Sequence, residues 1–282
     1  MIAKLEEMSS NEFNAIHSIF FDLDGTLVDN DGMLCILPES LQSLKEKIDQ
    51  LFLISGRDIH SFKYFINNNS ISKFFSYPFI CHDGNVLIFK DDIIILQSIN
   101  YNFFIYLLDN KYISDNFIVV TTCAIYYSSK NSKIRYMLLH KVNSEFKTIN
   151  RIDIFLNVKI LQVIFFYDYH KDVDRNFFSI ESMMHREYIF DLNDRYKFAR
   201  VYPRVDKFDG IEYLKHNIKS IRLKNSMAIG NGDNDVEMIR KLDIGVSVKE
   251  SSEKMKKNSD IILKESLESF IGKFISLCEK IN

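Results

Sequence analysis

Tryptophan is absent from the 282 residues, and proline, with three, and glycine, with nine, are scarce. None of these shortages carries a functional signal, but the other absences do. The four cysteines, Cys35, Cys81, Cys123 and Cys278, lie far apart and form no C-x-x-C pair. That spacing argues against a disulfide framework or a zinc site and predicts reduced thiols in a cytoplasmic compartment. No uncharged apolar run reaches the length that a membrane helix requires. The opening M-I-A-K-L-E-E-M-S-S carries early acidic residues and no long apolar stretch, so no signal peptide is expected. Neither sign of charge dominates: 36 Lys and Arg stand against 38 Asp and Glu, a net charge of −2. A global basic field for nucleic acid or an anionic membrane is therefore missing, and Lys254, Lys256 and Lys257 read as a solvated helix face. What remains, 46% hydrophobic and 26% charged residues over a length suited to two domains, is ordinary for a soluble globular protein.

The most informative stretch is I-F-F-D-L-D-G-T-L at 19–27. Ile16, Ile19, Phe20 and Phe21 have the β-branched and aromatic character of a strand buried on both faces, as in a parallel sheet. The chain leaves that sheet at Asp22, and ligands of open α/β sheets sit at this carboxyl edge. Asp22 and Asp24 are two apart, so extended geometry points both carboxylates into one crevice, where like charges need a cation to stay ionised together. Mg2+ suits that need, being a hard ion that takes carboxylate oxygens, water and phosphate oxygens. Gly25 allows a tight turn, and Thr26 supplies a hydroxyl and an amide for an anion. The competing reading is an ordinary turn, which aspartate and glycine both favour.

Further along, 38–48 has the spacing of an amphipathic helix, with Pro38 and Glu39 suited to its first turn. A second buried strand at 51–54 ends in Ser55, Gly56, Arg57 and Asp58, just before a helical pattern at 59–66. A hydroxyl, a glycine and a guanidinium in that position form a phosphate pocket, or merely a turn. A strand at 77–81, the turn His82-Asp83-Gly84-Asn85 and a hairpin of 86–89 with 93–96 follow. From about 84 to 200 the pattern changes to an α+β layer with strands expected at 117–127, 134–139 and 159–167 and helices near 103–108 and 172–184. Tyr126, Tyr127, Arg135, His140, His170, His185 and Arg186 could contact a sugar there, but they are indistinguishable from packing and solvated residues. Lys207 opens a helical pattern at 208–218, where a lysine is unfavourable for the macrodipole; an incoming phosphate is one reason for it to be there, and an ordinary surface lysine is the alternative. Finally, a short buried strand at 227–229 runs into Gly230-Asn231-Gly232-Asp233-Asn234-Asp235 and a helix, a third arm for the same cation.

Together F-D-L-D-G-T-L, I-S-G-R-D, P-R-V-D-K-F-D-G-I-E-Y-L and G-N-G-D-N-D-V-E-M resemble, in order, the four motifs of the haloacid dehalogenase-like hydrolase superfamily. I-S-G-R-D is similar to the sugar-phosphatase branches, Cof-type and trehalose-phosphate phosphatase-like, and D-G-N to the turn by which type IIB members enter their cap. The resemblance implies a doubly wound, Rossmann-like parallel sheet core at 1–83 and 201–282 with an inserted α+β cap at 84–200. It implies that Asp22 is the nucleophile, Asp24 the general acid/base and Ser55 the phosphate binder, with Gly56, Arg57 and Thr26 beside it. Lys207 maps onto the lysine that neutralises nucleophile and phosphate, and His82 is a substrate-side candidate. Two departures stand out: Phe208 replaces a usual glycine, and Asn231 stands where the family's metal-binding Asp does. An Asn coordinates without charge, so Mg2+ affinity falls unless Asp235, or alternatively Asp233, compensates; Asp22, Asp24, Asn231 and Asp235 are the expected metal residues. The implied activity is Mg2+-dependent hydrolysis of a small phosphate ester, a sugar phosphate by class, through an aspartyl-phosphate, by a cytoplasmic monomer or homodimer. A phosphosugar mutase and a non-hydrolytic phosphate-binding or signalling protein are the alternatives.

Overall fold

The computed structural model describes residues 16–29, 31–109, 115–140, 145–167, 184–219, 221 and 223–279. They fall into two compact units, one drawn from 1–57, 69–94 and 206–282 and the other from 58–68 and 95–205.

The first unit holds strands β1 (Ser18–Asp22), β2 (Gln50–Ile54), β3 (Phe79–Cys81), β4 (Val86–Ile88) and β5 (Ile93–Ile95), and, beyond the six strands of the other unit, β12 (Ser226–Gly230), β13 (Ile244–Ser247) and β14 (Ile261–Ile262). Among the described residues they form a sheet of order β14-β13-β12-β1-β2-β3-β4-β5. Every pair from β14 to β3 is parallel, while β4 returns antiparallel to β3. The expected strand cores are buried on both faces: Ile19 to Phe21, Leu51 to Ile54 and Met227 to Ile229 are inaccessible to solvent or nearly so. Continuous apolar runs are the mark of a parallel sheet covered on both sides. Phe20 and Phe52, paired in register, stack with ring centroids 4.7 Å apart, and each buried ring contributes ~1.5–3 kcal/mol of transfer free energy. The chain runs from β1 outward to β2 and β3 on one side, and returns to lay β12 against the other side of β1. That reversal opens a crevice at the carboxyl ends of β1, β2 and β12. Helices Pro38–Lys47 and Leu267–Glu279 pack together in this unit, and Leu37 N–H and Ser40 Oγ both donate to the carboxylate of Glu268.

In the second unit strands β6 (Phe117–Thr121), β7 (Ile125–Tyr127), β8 (Phe146–Thr148), β9 (Ile160–Phe166), β10 (Tyr188–Asn193) and β11 (Phe198–Pro203) form a sheet of order β10-β11-β9-β6-β7-β8. The pairs are antiparallel except for β7 with β8. Alternate residues serve opposite faces, as the two-residue repeat of a strand dictates. Val119, Val163 and Phe165 pack with Phe103, Phe104 and Leu107 of helix Tyr101–Asp109; Ile118, Val120, Ile164 and Phe166 pack with Tyr136 of helix Lys130–His140.

Two expectations fail here. The strand expected at 134–139 is the helix Lys130–His140. Its apolar residues had suggested a strand, yet Ile134, Met137 and Leu138 are exposed while Ser132 and Tyr136, one turn apart, are buried. Ser129 Oγ accepts from Ser132 N–H at 3.0 Å and Ser132 Oγ accepts from Ser129 N–H at 3.2 Å, a reciprocal cap that starts the helix. The expected strand 117–127 is a hairpin broken at 122–124, where Thr121 Oγ1 donates to the Ala124 carbonyl at 2.8 Å and accepts its N–H at 3.2 Å. A threonine side chain closes this turn with no glycine or proline to announce it. The helix expected at 172–184 lies almost wholly outside the described residues.

Candidate active site

Four segments of the first unit meet at the carboxyl edge of its sheet. Asp22 ends β1, Ser55 follows β2, Asn231 follows β12, and Lys207 begins the helix Lys207–Asn217. The lysine is tolerated at a helix start because acids satisfy the exposed amides: Asp206 accepts from the N–H groups of Phe208 and Asp209 at 2.8 and 3.0 Å, and Asp209 accepts from that of Asp206. Lys207 is fully buried, and its Nζ donates to Asp22 Oδ1 and to Asp235 Oδ1, each at 2.5 Å. The second oxygen of Asp235 accepts from the N–H groups of Asn231 and Gly232, both at 2.9 Å. Asp22 Oδ2 is buried and has no hydrogen-bond partner.

Two carboxylates thus share one ammonium out of water. Burial pushes the Asp22 carboxyl up from 3.8 to about 7, the charge of Asp235 adds to the rise, and Lys207 opposes it. Burial also works against the Lys207 ammonium, but Asp22, Asp235 and Asp83 outweigh it and hold the lysine protonated well above its ordinary range. The cluster therefore retains uncompensated negative charge when Asp22 ionises.

The loops around it are tight. Gly25 has φ +83°, and a Cβ there would lie 2.0 Å from Asn231 Nδ2, so the first loop can touch the fourth only through a glycine. Thr26, buried, donates to Asn231 Oδ1 at 3.4 Å. Ser55, inaccessible, accepts from Arg57 N–H at 3.1 Å. A Cβ on Gly56 would meet Asp83 Oδ1 at 2.8 Å, so only a glycine leaves room for the Asn234 to Asp83 hydrogen bond of 2.7 Å. Arg57, expected beside the phosphate, grips Asp24, with Nε 2.9 Å from Oδ2 and Nη2 2.6 Å from Oδ1. Asp233 accepts from Ser252 Oγ at 2.5 Å.

Of the residues picked out in the sequence, Asp22, Thr26, Asn231, Asp235 and Lys207 are linked through hydrogen bonds in one cluster, Asp24 and Arg57 form a separate pair, and Asp233 faces Ser252. Asp83, named above only as part of a turn, joins the site's surroundings through Asn234. His82 and Asp83 both have φ +51°, and their N–H groups donate to the carbonyls of Arg57 and Ser55, which bends the turn back over the second loop. The D-G pair was the available signal, since aspartate tolerates left-handed backbone. His82 itself is buried. The sugar-contact candidates of the second unit mostly serve its structure. Tyr126 packs edge-on to Phe155, Tyr127 Oη accepts from Thr148, and Arg135 donates to the carbonyls of Tyr167, Tyr196 and Lys197. His140 stacks on Tyr136, the His185 carbonyl accepts from Arg204, Arg186 is exposed, and His170 lies outside the described residues.

The donor set bears on a divalent cation as follows. Among the described residues no three His, Cys, Asp or Glu side chains gather into a metal cluster. Asp24 is held by Arg57 and Asp235 by Lys207 and two amides, which leaves the buried Asp22 Oδ2 and the Asn231 amide oxygen. One carboxylate oxygen with a neutral oxygen fits Mg2+, which keeps several waters and takes phosphate oxygens as its remaining ligands.

The sequence fits the model of the haloacid dehalogenase-like hydrolase family over residues 19–275. The chain belongs to that family. Among solved structures, TM0651 from Thermotoga maritima superposes with a TM-score of 0.76 at 16% identity, over 92% of this chain and 97% of its own. A haloacid dehalogenase-like hydrolase from Bacteroides thetaiotaomicron gives 0.75 at 18% identity, over 92% and 99%. BT4131, a subclass IIB sugar phosphatase of the same superfamily, gives 0.66 at 19% identity, over 92% and 98%. At such identities these likenesses show a shared fold, here the haloacid dehalogenase-like α/β core with its second unit. No curated protein matches the sequence.

Proposed function

We propose that this haloacid dehalogenase-like hydrolase is a phosphatase that hydrolyses a small phosphomonoester, a sugar phosphate by class, with Mg2+ as its cofactor. The observation that carries the reading is the state of Asp22: it ends the central strand with one oxygen held by Lys207 and the other uncommitted. Asp22 Oδ2 attacks phosphorus, the bond from phosphorus to the ester oxygen breaks, and an aspartyl-phosphate forms. Asp24 gives the leaving oxygen its proton and later takes one from the water that attacks the aspartyl-phosphate. Arg57 holds both oxygens of Asp24 beforehand, so one must be released as the substrate enters. Thr26, Ser55, Gly56 and Lys207 supply the hydroxyl, amide and ammonium donors for the phosphoryl oxygens. Asp22 and Asn231 are the residues to hold Mg2+, which when bound neutralises charge on the phosphoryl group.

The second unit, of residues 58–68 and 95–205, contains in this reading the cap that selects the substrate. Free cysteines support a reducing, cytoplasmic setting, and no helix among the described residues is long and apolar enough to cross a membrane. Asn231 and the grip of Arg57 on Asp24 favour a second reading, phosphate binding without turnover. The deciding experiment measures phosphate release from a panel of sugar phosphates with and without Mg2+, for the wild type and Asp22→Asn. Release that needs Mg2+ and vanishes in the variant is the expected result. A folded wild type that releases nothing from any substrate in excess Mg2+ would overturn the phosphatase reading in favour of the second.

A further inference from the structure

Among the described residues, one carboxylate oxygen in the site, Asp22 Oδ2, is buried and without a hydrogen-bond partner. The other carboxylates of the first and fourth loops are engaged, Asp24 by two guanidinium nitrogens, Asp235 by Lys207 and two backbone amides, and Asp233 by the Ser252 hydroxyl. Asn231, pressed against Gly25 and accepting from Thr26, brings an amide oxygen without charge.

Mg2+ gives up its water reluctantly and demands near-octahedral oxygen ligands. One carboxylate oxygen and one amide oxygen compensate poorly for that dehydration. A phosphate group alone fares no better, because it enters beside the Asp22 carboxylate while the nearby ammonium is already shared with Asp235. Each ligand lacks what the other brings: the cation lacks anionic oxygens, and the phosphate lacks positive charge to offset Asp22.

We propose that Mg2+ and the phosphate group bind this protein as a mutually dependent pair, each weakly alone, because Asn231 sets a neutral amide oxygen, not a second carboxylate, beside Asp22. The proposal rests on the phosphatase reading for the identity of the two ligands. It makes the metal-bound phosphate, rather than the free ester, the species that the site recognises. Coupling of this kind is reciprocal: whatever factor phosphate contributes to Mg2+ affinity, Mg2+ contributes to phosphate affinity.

The test is calorimetric titration of the full chain with MgCl2 alone, with inorganic phosphate alone, and with each in the presence of excess of the other. The expected result is a gain of about tenfold or more in Mg2+ affinity on adding phosphate, matched by an equal gain for phosphate on adding Mg2+. Asn231→Asp, of the same shape, is expected to bind Mg2+ without phosphate about tenfold more tightly than the wild type and to show weaker coupling, a difference of ~1.4 kcal/mol. Thermal unfolding of this variant with and without MgCl2 supplies a second readout, with a larger Mg2+-induced rise in Tm than in the wild type. A wild type whose Mg2+ affinity is indifferent to phosphate overturns the proposal, as does a folded Asn231→Asp that binds Mg2+ no more tightly. Coupled binding in a protein that releases no phosphate would instead sink the phosphatase reading and leave the coupling standing.

Discussion

Asp22→Asn is expected to abolish hydrolysis and yet to gain stability over the wild type as pH rises. Burial first, and then Asp235, lift the Asp22 carboxyl from 3.8 to about 7 against the pull of Lys207, a rise of about 3. A carboxyl whose pKa is raised by folding binds more protons in the folded chain, so its ionisation works against folding. The penalty is absent below the unfolded value, grows between the two values and is complete above the folded one. At about 1.36 kcal/mol per pKa unit its full size is ~4 kcal/mol in the metal-free protein. Between about pH 5 and about pH 8.5 it grows by ~2–3 kcal/mol. Asparagine carries no charge at any pH, so the stability of Asp22→Asn relative to the wild type should improve by that amount across the range. The intrinsic cost of a buried amide N–H without an acceptor, ~1–3 kcal/mol, is equal at both pH values and cancels from the comparison. Urea unfolding of both proteins in EDTA at the two pH values, with unchanged m, measures it. A gap that does not move with pH would refute the reasoning. A gap that moves against the variant would mean that the pairing with Lys207 outweighs burial and holds Asp22 below its ordinary value.

Lys207→Met leaves the Asp22 and Asp235 carboxylates buried without their ammonium, and loss of one partner from such a pair costs ~3–5 kcal/mol; the loss in urea stability should be smaller near pH 5, where Asp22 takes up a proton, and equal losses at pH 5 and pH 8.5 would contradict the shared-ammonium arrangement. Asp206→Ala removes the acceptor for two helix N–H groups and is expected to cost ~1–2 kcal/mol in the same assay, a loss that Asp206→Asn largely avoids; an unchanged midpoint in Asp206→Ala would show that the cap is not what supports Lys207 at the helix start.

The chemistry-bearing positions were legible because they sit where a strand ends, and strand ends are local. Apolar runs at 19–21, 51–54 and 227–229 announce fully buried strands, and the next polar residues, Asp22, Ser55 and Asn231, must then emerge at one edge of a parallel sheet. That reasoning needs neither the order of the strands nor their partners. It failed where side chains rather than periodicity start or stop an element, as at the serine cap of Lys130–His140 and the threonine turn at 121–124. It also gave Asp83 only a place in a turn, whereas its importance comes from the left-handed backbone that folds it toward Lys207 and Asn234.

The sequence by itself determined the fold class and which residues end the strands at the crevice, since those follow from burial patterns and short-range spacing, while its four motifs pointed to the family by resemblance. Only the tertiary structure decided which charge neutralises which. Asp24 and Asp235 looked equally available along the chain, but Arg57, 33 residues from Asp24, takes the one, and Lys207, 28 residues from Asp235, takes the other. Ion pairing depends on through-space distance and on burial, and neither is encoded at any one position; both appear when β1, β2 and β12 bring their loops together and leave Asp22 Oδ2 as the free anionic oxygen of the cluster.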